Sequence, residues 1–129
     1  MQAQCQSHQI LVVDDDRGIR EVMREFLEDE GYCVASAANG QEAINWLRTG
    51  GKRPCLILLD LNMPVMTGWE FLRVQQVEPR LAQIPVVVFS ADQSIKHEAS
   101  SIDPAAYLLK PIDFLDLVEL VERFCGAHS

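Results

Sequence analysis

Residues 56–70 read LILLDLNMPVMTGWE, and this stretch decides the fold. Its opening run, Leu56-Ile57-Leu58-Leu59, is apolar at every position and ends on a carboxylate, Asp60. A run this short, closed by turn signals, predicts a strand buried on both faces, since a strand with one wet face would alternate. Asn62, Met63-Pro64 and Gly68 mark the loop that follows. Asp60 therefore sits where the strand leaves the sheet. In open parallel α/β sheets, ligands bind outside the carboxyl ends of the strands.

Three further runs share this design. Ile10-Leu11-Val12-Val13 ends on Asp14-Asp15-Asp16, Pro85-Val86-Val87-Val88-Phe89 delivers Ser90, and Ala106-Tyr107-Leu108-Leu109 delivers Lys110. Parallel strands bring these groups to one edge. Several carboxylates, a hydroxyl and an ammonium then share one site. Packed carboxylates repel and call for a cation, and hard oxygen ligands suit Mg²⁺ or Mn²⁺.

The segments between the runs read as helices. Ile19, Val22, Met23, Phe26 and Leu27 recur at the spacing of one helix face across Arg17 to Glu30, and Gly31 suits the cap position after it. Tyr32 to Ala37 is a second strand. Asn39-Gly40 turns into a helix over 41–48 with Ala43, Ile44 and Leu47 inward. The next strand is 55–60. A third helix opens at Gly68, turns Phe71, Leu72 and either Val74 or Gln75 to the sheet, and stops at Pro79. Strands over 84–90 and 106–110 flank a short, Ser-rich helix at 93–102. Asp113 caps a last helix whose apolar face is assigned to Leu115, Val118, Leu120, Val121 and Phe124. Five strands alternating with five helices predict one α/β unit with a parallel sheet.

The chain has 129 residues and a formal charge of −8. That length suits one domain with a sufficient core. The acidity argues against sequence-independent nucleic-acid binding, which needs basic surface. Residues 1–8 are polar and read as a tail rather than a signal peptide, with the domain at 9–125 and a short tail at 126–129. No apolar run approaches membrane-spanning length. The cysteines, Cys5, Cys33, Cys55 and Cys125, form no CxxC pair, which disfavours a zinc or thioredoxin-like site. Cys33 and Cys55 are expected as buried thiols in a reducing cytoplasm. His8, His97 and His128 are scattered and read as surface residues. Trp46 and Trp69 read as packing residues.

Four segments, VVDDD (12–16), LLDLNMPVMTG (58–68), VVFSA (87–91) and YLLKP (107–111), resemble the receiver domain of two-component response regulators, in that family's order. The resemblance covers about Gln9 to Cys125. It implies a flavodoxin-like (βα)5 fold with strand order 2-1-3-4-5. It implies that Asp60 accepts a phosphoryl group from a phosphohistidine on a histidine kinase or phosphotransfer protein. Asp15 and Asp60 would ligate Mg²⁺, with the Asn62 backbone carbonyl as a third ligand and Asp14 acting partly through water. Lys110 would pair with Asp60 at rest and with the phosphoryl group afterwards, across a cis Lys110–Pro111 bond. Ser90 would bond a phosphoryl oxygen, and Tyr107 matches the switch aromatic. Asp16 is read as part of a solvated turn. Taken alone, Lys110 reads as a surface residue, and Tyr107 reads equally well as a half-buried strand residue.

Asn62 and Asp92 lie two residues beyond Asp60 and Ser90. Both are small and polar, which predicts access for an attacking water and a short-lived phosphoryl group. The 93–102 helix is shorter than the family's and lacks its following glycine, which bears on the signalling surface. The expected product is a single-domain receiver, either a natural lone protein or a domain of a hybrid kinase or longer regulator. It modifies only itself, signals to a partner protein, and is a monomer or a phosphorylation-linked homodimer. Two alternatives differ in class. A metal-dependent phosphatase with an aspartyl nucleophile needs a second acid where Asn62 stands, and turnover of a generic phosphate ester would reveal it. An unphosphorylated binding module would lack the acid pair, Asp60, Ser90 or Lys110.

Overall fold

The computed structural model describes residues 9–49, 53–61, 63, 65–90 and 105–126. Five strands form one parallel sheet: β1 (Gln9–Val13), β2 (Cys33–Ala37), β3 (Leu56–Asp60), β4 (Val86–Ser90) and β5 (Ala106–Leu109). Their order is β2-β1-β3-β4-β5, and every neighbouring pair is parallel. This is the expected doubly wound arrangement, similar to the flavodoxin-like fold. The helices are α1 (Arg17–Asp29), α2 (Gly40–Thr49), α3 (Gly68–Val77), α4 (Pro79–Ala82) and α5 (Phe114–Cys125). The 93–102 helix, Asn62, Asp92 and the three histidines lie outside the described residues.

The sheet is covered on both faces, which is why β3 and β4 are apolar up to their last residues, Asp60 and Ser90. Alternate residues feed two separate cores. Leu11, Val13, Ile57, Leu59, Val86 and Val88 meet α2, α3 and α4. Ile10, Val12, Leu56, Leu58, Val87 and Phe89 meet Met23 and Leu27 of α1 and Leu117 and Val121 of α5. Trp46 and Trp69 pack against the first core, as expected.

Several local expectations need correction. Val22 and Leu115, assigned to inward faces, are 51% and 78% exposed. Leu117 is the fully buried residue instead. With Val121 one turn later it defines the inward face of α5, and Leu115 lies two residues from it, on the opposite side. Pro79 follows the end of α3 and also opens the short α4, as a proline at the first helical position can. Gln75, rather than Val74, is the buried third residue of α3, and its amide nitrogen donates to the Leu81 and Ile84 carbonyls. The described cysteines are not thiols. Cys55 is bonded to Cys125 across a Cα–Cα distance of 5.3 Å, and Cys33 is also disulfide-bonded. Seventy residues separate the first pair, so no spacing rule could announce it.

Candidate functional site

Parallel pairing in register brings the ends of β1 and β3 side by side. Val13 pairs with Leu59, so Asp14 and Asp60 emerge next to each other. Both carboxylates are buried, Asp14 completely. Asp14, Asp15 and Asp60 each offer an oxygen within 4.8 Å of the others, and Asp15 is exposed. Lys110 reaches in from the end of β5. Its Nζ stands 3.6 Å from Asp14 Oδ2 and 3.7 Å from Asp60 Oδ1. The same ammonium lies 5.2 Å from the centre of the Phe89 ring. The Lys110–Pro111 bond is cis. Ser90, at the end of β4, is buried, and its carbonyl accepts the Lys110 N–H at 2.9 Å. Tyr107 is half-buried, paired in register with Val88, and packs on the α2/α3 side.

The acidic loop is held by contacts that sequence reasoning missed. Asp16 is the cap of α1, and its Oδ1 accepts the Gly18 N–H at 2.8 Å and the Ile19 N–H at 3.3 Å. An acid before a helix-spaced apolar pattern was the available signal. The Asp16 N–H in turn donates to Asp14 Oδ1 at 2.8 Å. Arg20 Nη1 donates to the Asp14 carbonyl at 2.7 Å. No sequence rule singles out that arginine.

Beyond Asp60 the next helix is α3, which opens at Gly68. Thr67 and Glu70 form a reciprocal capping box, with Thr67 Oγ1 accepting the Glu70 N–H and Glu70 Oε1 accepting the Thr67 N–H. Gly68 donates its N–H to the Leu61 carbonyl at 3.0 Å. A Cβ at Gly68 would lie 2.7 Å from the Asp60 carbonyl oxygen. The glycine is thus required by close backbone approach. Val65 in the same loop has φ +70°, a left-handed conformation that a β-branched residue rarely adopts.

The electrostatics follow from this packing. Burial pushes the Asp14 carboxyl up to about 6, while the Asp16 N–H works against the rise. The Asp60 and Asp15 charges push it up, and Lys110 pulls it down. Asp14 Oδ2 is buried without a hydrogen-bond partner. The Lys110 ammonium stands 3.6 Å from it, and a carboxylate oxygen with no hydrogen bond in such a cluster fits as a ligand to a hard cation.

The comparisons with known proteins bear on this geometry. The model for the response regulator receiver domain matches residues 10–122. The chain belongs to the response regulator receiver family. The receiver is 36% identical over 121 residues to an uncharacterized 14.6 kDa protein of Leptolyngbya boryana, covering 92% of this chain and 90% of that one. It is 36% identical over 111 residues to response regulator MprA of Mycolicibacterium vanbaalenii, covering 84% of this chain. There it spans 46% of the relative's length. Among solved structures, response regulator TrrA of Thermotoga maritima, in complex with Mg²⁺ and BeF, is 31% identical. It superposes with a TM-score of 0.80 over 91% of this chain and 98% of that one.

Proposed function

We propose that this receiver takes a phosphoryl group from a phosphohistidine donor onto Asp60 and signals through the resulting change in shape. The observation that carries this reading is Asp60 itself, buried at the end of β3 beside Asp14 and within 3.7 Å of the Lys110 ammonium. In the transfer, an Asp60 oxygen forms the new P–O bond. The P–N bond to the donor imidazole breaks, and its electron pair leaves with the imidazole.

Asp14, Asp15, Asp60 and the Asn62 carbonyl would hold Mg²⁺ or Mn²⁺, and the carboxylate donor set and the lack of a hydrogen bond at the buried Asp14 Oδ2 support that assignment. The ion offsets negative charge on the transferring oxygens. Lys110 pairs with Asp60 at rest and is positioned to follow the charge to a phosphoryl oxygen. Ser90 bonds another oxygen and draws the following loop inward, and Tyr107 turns in response. Asn62 and Asp92 admit and orient the water that ends the signal. The phosphoryl group favours one of two conformations by its contacts in each.

The donor approaches from the side of α1. A groove of about 440 Å³ runs from Lys110 between α1 and α5, lined by Ile19, Val22, Met23, Ile112 and Phe114. It supports docking of a histidine kinase or phosphotransfer protein next to the ammonium. The output is a contact with a further protein, the receiver acting as a signalling module in the cytoplasm that catalyses only its own phosphorylation and dephosphorylation.

The test is intact mass after incubation with a small acyl-phosphate donor, with and without Mg²⁺. A Mg²⁺-dependent gain of one phosphoryl group, absent in Asp60→Asn, is the expected result. A gain that survives in Asp60→Asn, or no gain under any condition, overturns the reading.

A further inference from the structure

The amino-terminal edge of the sheet lies opposite the acidic site and carries a second group of reactive side chains. Gln9 opens β1 and pairs in register with Cys33 of β2. Its carbonyl accepts the Cys55 N–H at 2.9 Å on the other side. Cys55 directly precedes β3, and Cys125 is the last residue of α5. The two are joined, and both are half-buried at the margin of the α1/α5 core, within reach of solvent. One further tie holds the end of α5. The buried Tyr32 donates its hydroxyl to the Gly126 carbonyl at 2.9 Å.

Two features indicate that the link serves in both redox states. First, Cys55 Sγ lies 3.4 Å from the Gln9 carbonyl oxygen. A sulfur in a disulfide has no proton to give, but a thiol at this place has its acceptor already in position. On reduction Cys55 can keep this place, and it is the Cys125 sulfur that moves off from bonding distance. Second, the joined elements are those that carry the site. β3 ends on Asp60 and α5 follows Lys110, and these two side chains face each other at 3.7 Å. β3 and the segment from Lys110 through α5 thus meet twice, by charge at one edge of the sheet and by a covalent bond at the other.

We propose that Cys55 and Cys125 form a reversible thiol–disulfide modification site, acted on by low-molecular-weight disulfides and thiols, that sets how firmly α5 is fixed to the sheet. In oxidation, each thiol gives up one proton and one electron. A glutathione-type disulfide takes up both protons and both electrons and leaves as two thiols, through a mixed-disulfide intermediate. In the reduced protein, Cys55 donates to Gln9, and the Tyr32 hydroxyl remains as the tie at the end of α5. In the oxidised protein the α5 wall of the groove, Phe114 included, is anchored at its far end. A reducing compartment keeps the link open, and oxidative conditions close it.

The test equilibrates the full chain in glutathione buffers from fully reduced to fully oxidised, alkylates with iodoacetamide, and reads each cysteine by peptide mass. Amide hydrogen exchange is followed in parallel. Cys55 and Cys125 should become protected together over one midpoint, and exchange over residues 120–125 should slow at least tenfold on oxidation. In Cys125→Ser, Cys55 should be found only as the alkylated thiol or, at oxidising ratios, as its glutathione mixed disulfide, and α5 should exchange at the reduced rate throughout. Protection of the two at different ratios, pairing of either with another cysteine, or exchange in α5 that ignores the redox state overturns the proposal. Should Cys125→Ser fail to fold, the titration of the native chain decides alone.

Discussion

Replacing Asp14 by Asn should stabilise the receiver, and by an amount set by pH. The folded carboxyl titrates near 6, against 3.8 when free, chiefly because burial disfavours its charged form. Between those values the folded state holds a proton that the unfolded state has lost. Stability therefore falls as pH rises from about 4 through about 6. A shift of this size corresponds to about 3 kcal/mol. Asn keeps the oxygen that accepts the Asp16 N–H and carries no charge to desolvate. The gap between variant and native chain should be near zero at pH 4 and approach about 3 kcal/mol at pH 7.5. Urea unfolding across that range, in a chelator, measures it. A gap that does not change with pH, or a variant less stable at pH 7.5, would refute the argument from burial. Added Mg²⁺ supplies a second check. At a hundredfold excess over its dissociation constant it should stabilise the native chain by about 2.7 kcal/mol and the variant far less, which closes the gap.

Three further substitutions probe the scaffold around the site. Gly68→Ala places a Cβ 2.7 Å from the Asp60 carbonyl and should cost about 1–3 kcal/mol while slowing phosphoryl uptake, read by denaturation and intact mass. Val65→Asn relieves a left-handed β-branched residue and should raise stability by about 1 kcal/mol; a loss would show that the valine side chain contributes more than its strain costs. Gln75→Leu leaves the Leu81 and Ile84 carbonyls without their shared donor and should lower stability by about 2 kcal/mol in urea titration.

The sequence made most of this architecture legible because apolar runs ending on polar residues are unambiguous when the sheet is buried on both faces. Leu56–Asp60 and Val86–Ser90 could be read as strands without a partner in view, and parallel pairing then forced Asp14, Asp60, Ser90 and Lys110 to one edge. What stayed hidden depends on contacts through space. The Cys55–Cys125 link joins residues seventy apart in sequence, and the absence of a CxxC pair argues against a metal but says nothing about a disulfide. The left-handed Val65 runs against its own propensity, and no residue pattern announces it. Helical periodicity placed α5 correctly but chose Leu115 over Leu117, because both faces of its first turn carry leucines.

The alternation of the strands has a consequence for how the molecule can change over generations. Asp14 and Asp60 share the parity of Ile10, Val12, Leu56 and Leu58, on the α1/α5 side, whereas Ser90 has the parity of Val86 and Val88, on the side where Tyr107 packs. On the proposed reading, the donor is met on one side of a five-stranded partition and the response is expressed on the other. On that same reading, substitutions that retune the choice of donor would fall on α1 and α5, and those that retune the listener across the sheet. The two specificities would then be separated by one layer of backbone, and each could drift without dragging the other.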